Sequence, residues 1–78
     1  MDNIWITKAE YLHGYNLALS FSNGTSGQVD LTGFLEKPIF RPLKDLSYFK
    51  KFSLNSWTIH WENGADFAPE FLYDLVTK

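Results

Sequence analysis

Phe21-Ser22-Asn23-Gly24 and Trp61-Glu62-Asn63-Gly64 decide how this chain is built. Each is an aromatic residue, one polar residue and Asn-Gly, at the end of a strand-like run. Asn-Gly between two such runs is the strongest short-range hairpin signal a sequence offers. Before the first, Leu17, Leu19 and Phe21 alternate with Ala18, Ser20 and Ser22, the period of a half-buried strand. Gly27, Val29 and Leu31 answer it. Before the second, Trp57, Ile59 and Trp61 alternate with Thr58, His60 and Glu62, and Ala65 to Ala68 answers.

The faces fix the loop lengths, because a one-residue slip moves every side chain to the other face. A two-residue loop at Asn63-Gly64 would set Trp61 against Asp66 and His60 against Phe67. A three-residue loop, Glu62-Asn63-Gly64, sets Trp61 against Ala65 and Ile59 against Phe67, with His60 beside Asp66 on the opposite face. The same choice in the first hairpin pairs Leu17 with Val29, Leu19 with Gly27, Ser20 with Ser26 and Asn16 with Asp30. Both hairpins are therefore expected to use a type I turn, with Gly24 and Gly64 left-handed in a bulge.

Outward from these turns, Ile4 to His13 reads as a first strand, ended by Gly14. Thr32 to Glu36 reads as one helical turn anchored by Phe34 and Leu35. Pro42 to Phe52 is the main helix candidate, with Leu46, Phe49 and Phe52 on one side, Asp45 as cap, and Lys50 and Lys51 at the negative end of the dipole. Pro69 suits a helix start and Glu70 the first turn. Leu72, Leu75 and Val76 then make the apolar stripe of a short closing helix. The expected fold is α+β in a single domain, 1–78: a mostly antiparallel sheet of about five strands, covered by one main helix and a short C-terminal one.

Seventy-eight residues without cysteine have no disulfide staple and no thiolate metal site. The core must compensate, and seven Phe, four Tyr and three Trp supply it. Trp5, Trp57, Trp61, Phe49, Phe52 and Phe67 read as core. Met1 to Trp5 has no basic leader or apolar segment of a secretory signal, and no run is long enough to span a membrane. A cytoplasmic location is expected. The net charge of −2 argues against direct nucleic-acid binding, which needs a basic face. Arg41, Lys44, Lys50 and Lys51 read as a solvated helix face.

Candidate chemistry is sparse. His60 and Asp66 are the sharpest polar pair, since a carboxylate beside an imidazole is half of a catalytic arrangement. No nucleophile is activated nearby, and a solvent-face cross-strand pair accounts for both. Asp66, Glu70 and Asp74, spaced four apart, could bind a hard cation, but acids on a short exposed helix commonly only solvate it. His13 and His60 lack metal-ligand spacing. No Gly-rich phosphate loop is present. No catalytic residue, metal or cofactor is assigned. Exposed aromatics and an unpaired edge strand remain as docking material.

The order Phe21-Ser-Asn-Gly24, Val29-Asp30-Leu31, Leu43-x-Asp45, Phe49 and then Trp61-x-Asn63-Gly64-x-Asp66-x-x-Pro69-Glu70-x-Leu72-Tyr73 resembles the DUF2442 family, small bacterial proteins of unassigned function. The resemblance covers nearly the whole chain, and the tryptophan-to-tyrosine run is its specific part. It implies a small α+β domain. It also implies genes paired with another small protein, of the DUF4160 family, in the manner of toxin–antitoxin modules. Some family members carry a helix-turn-helix after this domain; the present chain ends at Lys78 without one. The interaction candidates are the motif residues Trp61, Asn63, Gly64, Asp66, Pro69, Glu70 and Tyr73. The expected function is a non-enzymatic module that binds another small protein. The alternatives are a small-molecule-binding domain with a pocket of Trp and Tyr between helix and sheet, or a hydrolase-type enzyme using His60 and Asp66.

Overall fold

A computed structural model describes residues 3–77. Met1, Asp2 and Lys78, which belong to the terminal stretches read above, lie outside it. Strands β1 (Ile6–His13), β2 (Asn16–Phe21) and β3 (Ser26–Asp30) form an antiparallel sheet in that order. β2 is its centre, and its odd-numbered residues Leu17, Leu19 and Phe21 are buried while their neighbours are half-buried. The register is the one the faces required: Leu17 pairs with Val29, Leu19 with Gly27, Ser20 with Ser26 and Asn16 with Asp30. Phe21 N–H donates to Thr25 C=O at 2.8 Å and closes the three-residue loop. Gly24 has φ +90° and Gly64 φ +92°, a region where any side chain would meet its own backbone.

The second hairpin keeps its turn but not its length. Trp61 N–H donates to Ala65 C=O at 2.8 Å, and His60 bridges Asp66. There the ladder stops. β5 is only Ile59–His60, and its strand partner is β4 (Ser53–Leu54) rather than Ala65 to Ala68. The five strands thus divide into a sheet of three and a sheet of two. Two side chains cause this. Asn55 Oδ1 accepts the N–H groups of Trp57 and Thr58, each at 2.7 Å, and folds 55–58 into a turn. Thr58 Oγ1 donates to Phe67 C=O at 2.6 Å where a longer strand would use backbone.

The expected helix from Pro42 to Phe52 is also broken. Arg41–Lys44 is a 3-10 turn and α1 is one turn, Leu46–Phe49. Between them Asp45 is extended (φ −74°, ψ +113°). Its carboxylate accepts the Ser47 N–H at 3.0 Å and the Ser47 hydroxyl at 2.7 Å. An aspartate that bonds two residues ahead offers the backbone an alternative to helix, so Asp45 caps as expected but interrupts the helix it was to start. Only Phe49 of the expected stripe is buried; Phe52 is half-buried and Leu46 exposed. The longest helix is the closing one, α2 (Pro69–Thr77), with Leu72 fully buried.

Asp30 repeats the device, accepting from the N–H and hydroxyl of Thr32 ahead of a 3-10 turn at Thr32–Phe34. The Thr32 and Ser47 donors hold the two carboxyls below the usual aspartate pKa of 3.8. A depressed folded pKa means stability present above the ordinary value and lost as pH falls through the folded one. Thermal melts should therefore be level from pH 7 to about 5 and fall below about pH 4, near the unperturbed aspartate value. Asp45→Ala should lower Tm at pH 7 and shrink the acid-side drop; an equal drop in both proteins would contradict this account.

Two aromatics expected in the core are outside it. Trp5 is 40% and Trp57 41% exposed. They stack on each other at 6.3 Å between ring centroids. Ile6 N–H donates to Trp57 C=O at 2.9 Å, so the pair sits where the turn at 55–58 meets the edge of β1. The buried aromatic centre is Trp61, Phe49, Phe67 and Phe21.

Candidate binding cleft

The motif residues divide between scaffold and surface. Trp61 is buried, and its indole N–H donates to Phe49 C=O at 2.9 Å, joining the second hairpin to α1. Asn63 makes three hydrogen bonds. Its Oδ1 accepts the Ala65 N–H at 3.0 Å, its N–H donates to the Tyr48 hydroxyl at 3.0 Å, and its Nδ2 donates to Ile39 C=O at 3.0 Å. Asn23 does comparable work in the first turn: Oδ1 accepts from Thr25 N–H and Nδ2 reaches the Tyr73 hydroxyl at 3.2 Å. Tyr73 stands edge-on to Phe21 at 5.3 Å, so α2 is fastened to the first hairpin. The Thr25 and Asn23 side chains beside its hydroxyl hold the Tyr73 pKa below the usual tyrosine value. Gly64 is the left-handed turn residue, Pro69 is buried at the head of α2, and Glu70 is exposed in its first turn.

Asp66 leads to the surface feature. With Phe67, Ala68 and Phe71 it forms one wall of an open cleft of about 460 Å³; Gly33, Phe34, Glu36, Lys37 and Phe40 form the other. Phenylalanine dominates it. Phe40 stacks on Phe67 at 4.6 Å with ring planes 3° apart, and Phe67 lies 12° from Phe71 at 5.8 Å. Phe34 stands edge-on to Phe71 at 5.1 Å and is 38% exposed. Of the two residues expected to anchor the 32–36 turn, Leu35 is buried and Phe34 is not. Both walls are held from behind. Thr58 ties Phe67, and Asn63 ties Ile39 beside Phe40. Lys37 C=O accepts from the N–H groups of Phe40 and Arg41.

Three charged residues line the cleft. The Glu36 carboxylate is engaged by Lys44 Nζ at 2.9 Å, and that donor holds its pKa below the usual glutamate value. Asp66 and Lys37 make no ion pair among the described residues, and both are exposed. A concave, mostly apolar site with a few polar groups at its rim is the usual form of a binding pocket.

The other candidates do not converge on it. His60 and Asp66 are neighbours through the backbone bridge, as expected, but no hydrogen bond or ion pair joins their side chains. Thr58, beside His60 in sequence, is buried with its hydroxyl spent on Phe67. No group of three or more His, Asp and Glu among the described residues is arranged to hold a metal ion. Among the described residues no helix is long and apolar enough to cross a membrane. This cleft is lined by Phe, with none of the Trp and Tyr expected of a pocket between helix and sheet. Phe40 and Lys37 follow neither strand nor helix periodicity; the one available signal is the pair Phe34 and Phe40 bracketing Leu35-Glu36-Lys37-Pro38-Ile39, a proline-containing segment with no period.

The family described as a protein of unknown function, DUF2442, matches residues 6–78. No curated protein and no solved structure matches the chain.

Proposed function

We propose, from the premise that the chain belongs to the DUF2442 family, that it is a non-enzymatic interaction module whose Phe cleft receives a large apolar side chain of another small protein. The carrying observation is the cleft itself, with Phe34, Phe40, Phe67 and Phe71 on braced backbone. Aromatic anchors in a preformed pocket concentrate binding energy at few residues. Asp66 at the rim, which has no ion pair among the described residues, and the net charge of −2 favour a basic segment beside that side chain. In this reading the protein is the antitoxin-like or regulatory half of a two-gene pair in a bacterial cytoplasm.

Co-expression with the product of the neighbouring gene tests it. The two should purify together, and Phe34→Ala should weaken the complex by about 2 kcal/mol, roughly thirtyfold. Its ring is already 38% exposed, so the free domain should keep its fold. Separate purification, or an affinity that Phe34→Ala leaves unchanged, would sink the proposal. The same cleft favours one second reading, a small aromatic ligand. A thermal shift with such compounds that disappears in Phe34→Ala, in a protein that ignores its genetic neighbour, would select it.

A further inference from the structure

The three-stranded sheet has two edges, and they differ. The β1 edge is met at its start by the chain around Trp57, whose carbonyl accepts from Ile6 N–H, and the strand is irregular at Ile6/Lys8 and Tyr11/His13. The β3 edge is open. The bonds from Phe21 N–H to Thr25 C=O and from Leu31 N–H to Tyr15 C=O fix the parity of the ladder. Gly27 and Val29 therefore bond β2, opposite Leu19 and Leu17. The N–H and C=O groups of Ser26, Gln28 and Asp30 point the other way. No backbone partner engages them among the described residues. Edge strands are normally guarded by charged side chains, lysine above all, by proline, by a bulge or by very short length. Ser26-Gly27-Gln28-Val29-Asp30 has no lysine, proline or bulge, and its one charge, Asp30, stands at its end.

We infer that β3 pairs antiparallel with β3 of a second copy, about a two-fold axis at Gln28, giving a continuous six-stranded sheet. The sequence fits itself in this register. Gln28, whose Nε2 donates to Asn16 Oδ1 at 3.2 Å within its own chain, faces its own copy, and Ser26 faces Asp30, hydroxyl donor to carboxylate acceptor. No like charges meet, which opposed strands would otherwise penalise. On the core face Gly27 falls opposite Val29, small against large. α2 lies beside this edge, with Val76 close over Gly27. Pairing therefore also draws the half-buried Leu75 and Val76 of both copies toward the axis. This surface is separate from the Phe cleft.

The chain has no cysteine, so Gln28→Cys introduces a single thiol. Light scattering on the wild type should give a dimer of 9.1 kDa chains. A short bis-maleimide should cross-link Gln28→Cys to a dimer, while Ala18→Cys on the central strand should stay monomeric on a denaturing gel. Gln28→Pro removes an outward N–H and the side-chain bond to Asn16, and leaves the backbone ladder to β2 intact. It should raise the dimer dissociation constant at least tenfold, with an unchanged circular-dichroism spectrum. A monomeric wild type, a dimer indifferent to Gln28→Pro, or failure of Gln28→Cys to cross-link would each overturn the inference. If Gln28→Pro does not fold, the cross-linking pair decides alone.

Discussion

Trp61→Ala should leave the domain largely unfolded at 37 °C. Trp61 is 2% exposed and touches three aromatic rings, with centroids at 5.7 Å to Phe49, 6.5 Å to Phe52 and 5.9 Å to Phe67. Truncating a buried aromatic costs about 3–5 kcal/mol. A domain of this size holds only about 4–12 kcal/mol in total, so most of its margin goes. The indole N–H adds a second loss, because Phe49 C=O then keeps no side-chain donor in a buried place. Trp61→Phe separates the two. It keeps most of the packing, loses the hydrogen bond, and should cost about 1–3 kcal/mol. Urea titration followed by circular dichroism measures both. A Trp61→Ala protein within 1 kcal/mol of wild type, by the usual range for surface changes, would show that the two halves of the core do not meet at this residue.

Gly27→Val should destabilise by about 1–3 kcal/mol, although valine is the better strand residue. A Cβ at position 27 would lie 2.5 Å from Val76 Cγ1, closer than atoms pack. Strand propensity spans only about 1 kcal/mol across all residues, so the clash wins. Either α2 moves off the sheet or Val76 leaves its place. Tm should drop by about 4–8 °C for each kcal/mol lost. Val76→Ala removes the opposing methyls, and the double variant should recover part of the loss in a mutant cycle. Additive losses would mean that the helix does not rest on Gly27.

Both residues show where the sequence was legible. Trp61 could be assigned to the core, and Gly27 placed opposite Leu19, from hairpin register alone. Register follows from alternation and loop length, which neighbours in sequence decide. The contact of Gly27 with Val76 could not be read, because it joins residues 49 positions apart and no pattern encodes their distance. Trp57 failed for a related reason: it alternates with Ile59 and Trp61, but Asn55 captures its N–H and turns it outward. Asp45 could be read as a cap; that it would also cut the helix depended on its bonds to Ser47. The motif residues turned out mostly to be braces. Their one surface member in the cleft, Asp66, is a candidate from the sequence, while Phe34, Phe40 and Phe71 come together only where the 33–40 segment meets the start of α2.

The sequence by itself determined the two Asn-Gly turns, their three-residue loops, the left-handed glycines, the β2–β3 register and the closing helix. Each is a local choice, settled by backbone sterics and by side chains a few residues apart. Only the tertiary structure decided that five strands divide into sheets of three and two. It alone brought Phe34 against Phe71 and left the outer edge of β3 without a backbone partner among the described residues. Those outcomes depend on which apolar faces cover one another across the whole chain, and on hydrogen bonds such as Thr58 to Phe67 that take the place of backbone pairing.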